Sequence, residues 1–421
     1  MVRWPQGIEV VMAYAAVKGG GKAVAESIKL LEKYRTAGQA DLDLEALEKR
    51  MSLLIDRIMG EAGFYAPSYA ALALKQSEGS PEEAVFLLRA YRSTLSRSYL
   101  SFPMDGADMR IMRRVSAAFK DIPGGQFLGA SRDYTHRLLN FDLRNESRNG
   151  SLGEDAPSPG MPAGEQPAGS ENGAIYAVRV SDELRKEGLI TVEEEDGEPW
   201  DITEHPLAFP APRSARLQTL ARADTGYISG LAYAVIRGFG SGHPTVGELR
   251  TGALEVTIPH PLIDGERLFV GEIIVTEVES LFSGEDQKTR TEAEKDPLKI
   301  LSSGQGEKAD TSPNALRLDG GYGMVFGRND TKAIAMSILD YSLNNGDESN
   351  TPDNTAQTAS SPGTGEGKLS VLGSQEFVLL HGDALEMNGF ISHLKLPHYV
   401  TFQSKLDRVR HTRKRADHEG L

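Results

Sequence analysis

The chain has 421 residues, 46 lysines and arginines against 60 aspartates and glutamates, a net charge of −14, and no cysteine. The length predicts two or three domains, each with room for its own core, and the acidic balance argues against a general nucleic-acid or anionic-membrane binder. The missing thiols exclude disulfides and cysteine catalysis within the chain, and no apolar run approaches the roughly 20 residues of a membrane span.

No apolar signal-peptide core follows Met1-Val-Arg-Trp-Pro, so a cytoplasmic protein is expected. Met12 is an equally good start, because the strand-like run Ala13–Val17 follows it. Helical periodicity then covers 22–34 and 41–60. Ser80-Pro81-Glu82-Glu83 reads as a helix start, with a serine cap, proline at the first helical position and glutamate at the third. Ala84, Leu87, Leu88, Tyr91 and Leu95 follow at helical spacing, so one face of that helix should be buried. Residues 105–119 read as a helix with a cationic edge, and 133–144 as a capped helix. The first 145 residues are therefore expected to be mainly α.

Residues 146–173 are rich in Gly, Pro, Ser and Glu and read as a linker or insertion. Residues 174–188 and 213–236 read as helices. Leu254–Ile258 and Leu268–Glu277 read as strands from their β-branched content and bounding Gly or Pro. Glu272 and Glu277 are an odd number of residues apart on the second of these, so one should face inward and need a partner. The mixed-charge stretch 283–312 reads as a second insertion. Gly320–Phe326 reads as a glycine-rich strand, and Asn329-Asp330 as the cap of a helix carrying Ala333, Ile334, Ser337, Ile338 and Tyr341. Residues 345–367 form a third polar insertion, Glu376–Leu380 reads as a strand, and the basic tail 407–421 is expected to fray. The three insertions cannot bury enough apolar surface to order themselves. The class is α+β: a helical part over 1–145, a linker over 146–173, a mixed part over 174–406 interrupted at 283–312 and 345–367, and the tail. No internal repeat is visible.

Several clusters carry chemistry. Lys18-Gly-Gly-Gly-Lys22 suggests a phosphate loop but fails the Walker pattern, since Ala23 follows the lysine. Arg110, Arg113 and Arg114, read as helical neighbours, suit phosphate oxygens or a solvated salt-bridge strip. Lys120-Asp-Ile-Pro-Gly-Gly-Gln126 followed by Asp133-Tyr-Thr-His136-Arg137 concentrates polar groups on a loop, where function is commoner than on a polar helix face. Gly238-Phe-Gly-Ser-Gly-His243 leads to Glu248 and Arg250; its alternate glycines allow close approach of a ligand or simply make a loop. His393 and His398 fall five residues apart around Pro397. On one helix their rings would point about 140° apart. Pro397 instead favours a turn, where both can converge on a divalent metal or remain ordinary loop histidines. Without cysteine, any further ligands must come from a distant His or carboxylate, water, substrate or another chain.

Taken together, Tyr14–Gly20, Ala71–Gln76, Leu87–Arg92, Lys120–Gln126, Asp133–Leu139, Gly320–Gly327 and Ser392–Val400 resemble, in this order, the PhnI family of bacterial carbon–phosphorus lyase subunits. The resemblance implies phosphonate catabolism. It implies that, with the PhnG, PhnH and PhnL proteins, the chain replaces the adenine of ATP by methylphosphonate to give α-D-ribose 1-methylphosphonate 5-triphosphate. Alone it implies a purine nucleosidase acting on ATP or GTP, and it implies a core complex with PhnG, PhnH and PhnJ. His393 and His398 match the family's zinc-binding histidines near PhnJ. Cleavage of an N-glycosidic bond builds positive charge on the sugar, so a carboxylate and a proton donor are needed, with cations and Mg²⁺ on the triphosphate. Asp133, His136 and Glu248 are the candidates for the first two tasks; Arg110, Arg113, Arg114 and Lys120 for the last. Two other readings are weighed: a non-catalytic scaffold supplying half of an interfacial zinc site, and an unrelated metal-dependent hydrolase drawing a third ligand from His381 or His243.

Overall fold

The structure, a computed structural model, describes residues 20–36, 38–145, 176–190, 198–239, 244–283, 317–345, 371–396 and 398–419. The strand-like run at 13–17 and nearly all of the three polar insertions lie outside these. The chain divides into two compact units, Met1–Asp43 with Leu385–Leu421, and Leu44–Ala384. The protein is α+β, and no described helix is long and apolar enough to cross a membrane.

The larger unit is built on a four-stranded antiparallel sheet of order β1-β2-β3-β4: Arg110–Val115, Thr245–Pro259, Arg267–Ser283 and Leu318–Phe326. One sheet face is apolar. Leu249, Val278, Phe282 and Val325 pack there with the helices α7 (Arg213–Arg222), α8 (Thr225–Ala234) and α9 (Asp330–Asn344). Phe282 stacks on Tyr341 of α9 at 3.6 Å between ring centroids. The glycines of β4 explain how close α9 comes. A Cβ at Gly321 would lie 2.0 Å from the Ser337 carbonyl oxygen, and one at Gly323 would lie 2.2 Å from that of Ala333. Asn329 caps α9 as expected, its side chain accepting from the Lys332 amide at 3.1 Å.

A helical layer precedes the sheet: α2 (Leu44–Arg50), α3 (Ser52–Ala62), α4 (Pro67–Gln76) and α5 (Pro81–Arg92). The periodic stretch 41–60 is broken at Met51. α3 ends on Gly63 in the left-handed region, which only glycine enters cheaply. Ser80 caps α5 with Pro81 and Glu83 in the expected places. Ala84, Val85 and Leu88 are its buried residues, whereas Tyr91 is partly exposed and Leu95 lies beyond its end.

Some elements differ from expectation. Residues 110–115 are a strand, not part of a helix over 105–119: the side chains at 113 and 114 are themselves buried and paired with carboxylates, which removes the need for a solvated edge. Residues 133–144 are turns and bends, with a single short 3-10 turn at Phe141–Asn145. Residues 376–380 belong to a helix, α10 (Gln375–Leu380), because the Ser374 hydroxyl accepts from the Phe377 amide and starts one. Over 174–188 the helix is confined to α6 (Val180–Lys186). The 213–236 stretch splits where Asp224 caps α8 by accepting from the Tyr227 amide at 2.7 Å.

The smaller unit contains α1 (Gly20–Thr36), most of α11 (Ala384–His393) and α12 (Tyr399–Glu419). The basic tail is helical through Glu419, continuing α12 with an Asp407–Arg410 pair one turn apart.

Candidate functional site

The other face of the sheet carries a small apolar cluster of Ile111, Leu254 and Val275 and, beside it, an ionic lattice. Register places Arg114 beside Arg250, Arg250 beside Glu277, Glu248 beside Glu279, and Glu279 beside Tyr322. Arg114 is 0% exposed and Glu248 4%. The Arg114 Nε donates to Glu248 Oε1 at 2.5 Å, and its Nη2 donates to the Val178 carbonyl at 2.8 Å. The second Glu248 oxygen accepts from the Val180 amide at 2.8 Å, so both oxygens are engaged. Arg250 is bidentate on Glu277, with Nη2 also donating to the Gly106 carbonyl at 2.9 Å. The other Glu277 oxygen accepts from the Tyr322 hydroxyl at 2.9 Å and from Arg179 at 3.3 Å. Buried charges persist only when paired in this way.

Where this lattice meets the edge strand β4, a cleft of about 440 Å³ opens. Arg179, Arg185 and Arg213 line it with Glu279, Tyr322 and the backbone of Gly320. Each guanidinium is paired with carboxylates. Arg213 pairs with the fully buried Asp340 at 2.7 Å, Arg185 with Asp182 at 2.9 Å and with Glu279, and Arg179 with Glu277 and Asp105. Burial raises the Glu279 carboxyl above its ordinary range, against the pull of the arginines. Burial, then the neighbouring Glu277, pushes the Tyr322 hydroxyl well above 10.

The residues singled out from the sequence fall into different settings. On a strand with a bulge between Ile111 and Arg113, the three arginines do not share a face. Arg110 pairs with Glu272 at 2.6 Å on the exposed part of the sheet. Arg113 joins Asp133 at 2.6 Å and Asp330 at 3.2 Å. Asp133 is half exposed, and its hydrogen bonding with Ser131, then Arg113, holds its carboxyl below the usual range. Lys120 and His136 are exposed on the same loop. Thus Arg113 and Asp133 come together, as do Arg114 and Glu248. Glu272 and Glu277 point to opposite faces, with Glu277 the buried one. The cleft residues were not singled out. Their signal is the alternation Glu277-Val-Glu279-Ser on a strand otherwise apolar, which marks a charged face that must be covered.

In the smaller unit, His393 ends α11 and His398 precedes α12, with ring centroids 5.4 Å apart. Two imidazoles on one tetrahedral ion, with metal–nitrogen bonds of about 2 Å, have centroids roughly 5 Å apart. The His398 Nδ1 lies 2.6 Å from the Leu396 carbonyl oxygen, and the His393 Nδ1 bonds the Phe390 carbonyl. Those bonds fix the proton on Nδ1 and leave each Nε2 with the lone pair that a metal takes. No group of three or more His, Cys, Asp or Glu side chains suited to a metal occurs among the described residues. The donor set therefore fits half of a site. Phe390, Ile391, Leu394, Val400 and Phe402 flank the pair in sequence and are exposed. His381 stands at the end of α10, bonded to the Phe377 carbonyl, and His243 lies outside the described residues.

The family model described as "Bacterial phosphonate metabolism protein (PhnI)" matches residues 13–416. The chain is 41% identical over 409 residues to the "Putative C-P lyase subunit protein HtxH" of Stutzerimonas stutzeri, covering 96% of this chain and 97% of that one. It is 38% identical over 414 residues to the "Alpha-D-ribose 1-methylphosphonate 5-triphosphate synthase subunit PhnI" of Escherichia coli (strain K12), covering 96% and 99%. The Rhizobium meliloti (strain 1021) protein of the same name is also 38% identical, covering 96% of each chain. The chain belongs to the PhnI family of bacterial phosphonate metabolism proteins.

Proposed function

We propose that the chain is the subunit that exchanges the adenine of ATP for methylphosphonate, giving α-D-ribose 1-methylphosphonate 5-triphosphate, in a cytoplasmic complex. It does so with PhnG, PhnH and PhnL, shares a core with PhnG, PhnH and PhnJ, and alone hydrolyses ATP or GTP to the free base. The observation that carries this reading is alignment over 96% of the chain with two proteins named as this synthase subunit. His393 and His398 would hold zinc in concert with a partner subunit, and the ion would supply Lewis-acid chemistry there.

In the chemistry, loss of the purine leaves positive charge on the ribose ring and a nitrogen that must be protonated. Two places carry groups suited to this. The first is the loop of Asp133, His136 and Lys120 beside Arg113. Asp133 is held ionised there, which suits charge stabilisation, and His136 is then the proton donor. The second is the arginine-lined cleft. Arg110 and Lys120 are accessible to a Mg²⁺-bound triphosphate, whereas Arg114 and Glu248 are enclosed and act through the fold.

The test is chromatography of ATP incubated with the purified chain, then with PhnG, PhnH, PhnL and methylphosphonate. Free adenine alone in the first case, and adenine with the ribose methylphosphonate product in the second, are expected. No adenine in either mixture would favour the scaffold reading. Single-turnover release by Asp133→Asn and His136→Gln then decides the loop's part: unchanged rates in both remove it from the chemistry.

A further inference from the structure

The loop and the cleft lie at opposite ends of α9. Arg113 meets Asp330 at its first residue, and Asn344, its last, lines the cleft. At 1.5 Å per residue these ends are about 20 Å apart, too far for one triphosphate to use both sets of arginines. Arg114 is sealed within the fold.

The cleft differs from the loop in three respects. It gathers three guanidiniums from two separate segments, Arg179 and Arg185 from the cap and body of α6 and Arg213 from the start of α7, in a chain whose net charge is −14. Ion pairs with neighbouring carboxylates fix their orientation, which preorganises the planar forks for phosphate oxygens. At Gly320, on the polar face of β4, a Cβ would sit 3.6 Å from Glu279 Oε1 and 3.9 Å from Ile190, ordinary contacts that leave the rest of a side chain no course but into the opening. Neither packing nor a left-handed backbone demands glycine there, unlike at Gly321, so its bareness keeps the cleft open beside Glu279.

We propose that this cleft holds the ribose–triphosphate part of the nucleotide, with Arg179, Arg185 and Arg213 against the phosphates and Glu279 accepting from ribose hydroxyls. This rests on the nucleotide reading given above for the substrate, and it specifies where on the chain that substrate sits. The volume of about 440 Å³ is within the range of small-molecule sites.

Titration calorimetry of the full-length chain with ATP–Mg²⁺ and with inorganic tripolyphosphate tests it, using Gly320→Leu to fill the cleft and Arg185→Gln to remove one fork. Thermal denaturation checks that each variant is folded. Gly320→Leu removes no member of an ion pair and so serves if Arg185→Gln fails to fold. The expected result is at least tenfold weaker binding of both probes to both variants. Wild-type affinity in folded Gly320→Leu, or no binding of either probe to the unmodified chain, overturns the proposal. If wild type releases adenine but Gly320→Leu releases it equally well, the site is wrong and the activity stands. If tripolyphosphate binding is lost in the variants yet no preparation releases adenine, the anion site stands and the nucleosidase reading falls.

Discussion

Glu248 shows how a residue that looks catalytic in sequence can serve the fold. Both of its oxygens are spent, one on Arg114 and one on the Val180 amide, and neither charge of the pair reaches solvent. Removing one partner leaves the other charge buried without compensation, at a cost of about 3–5 kcal/mol. Glu248→Leu should therefore lower the denaturation midpoint strongly, whereas Asp133→Asn, half exposed, should cost under about 1 kcal/mol. Parallel urea titrations check this, and equal losses would mean that the Arg114 pair is not the anchor of the α6 segment. Lys332 adds a pH dependence. It is fully buried at the start of α9, donating to the Ala223 carbonyl at 2.8 Å. Burial lowers its pKa from 10.5 to about 8, against the pull of Glu61 and Asp224. Between those values the unfolded chain binds more protons at this site than the folded one, so its contribution to stability grows as pH rises from about 8 to 10.5. The stability of wild type relative to Lys332→Met should accordingly increase across that window. Denaturation of both proteins at pH 7.5, 8.5 and 9.5 measures it, and a constant difference would show that the lysine keeps its proton when buried.

At the scale of the element, β4 carries two kinds of glycine. Gly321 and Gly323 let α9 approach, and a methyl at either collides with α9 backbone. Gly321→Ala should cost about 2 kcal/mol or more through displacement of α9, while Gly320→Ala should be nearly neutral; thermal midpoints of the two variants would separate them. This contrast also marks where the sequence is readable. The cap of α9, the start of α5, the glycine-rich strand and the central parts of β2 and β3 are set by local chemistry, and each was legible from residues within a few positions. β1 was not, because Arg113 and Arg114 take their partners from Asp133, Asp330 and Glu248, and a strand whose cations are neutralised over such separations looks like a helix with a polar edge. The five residues at 376–380 are too short for periodicity to decide between helix and strand, and the serine before them settled it. The histidine turn was legible because its chemistry is contiguous. The cleft was not, because its lining comes from α6, α7, β3, β4 and α9.

At the scale of the whole molecule, the histidine turn has a donor count that constrains how it works. Zinc held in a structural site takes four ligands, and a catalytic one at least three from protein. Here the two imidazoles have no third ligand in a metal-sized group among the described residues, and Phe390, Ile391, Leu394, Val400 and Phe402 are exposed in the same stretch of chain. Exposed apolar residues concentrated in this way are what a protein interface covers. A second chain seated on them would supply ligands and exclude water in one step, so metal affinity and assembly should be linked: zinc strengthens docking as much as docking strengthens zinc binding. The isolated chain should therefore lose its zinc on dialysis, and the assembled complex with PhnG, PhnH and PhnJ should retain about one ion for each copy. His393→Ala and His398→Ala should each abolish that retention and weaken assembly, without shifting the denaturation midpoint of the isolated chain by more than about 0.5 kcal/mol, since both rings lie on its surface. Metal analysis of gel-filtered samples decides the matter. Zinc that stays on the isolated wild-type chain, or that persists in the complex of both variants, would place the ligands elsewhere and separate the exposed apolar residues from the metal.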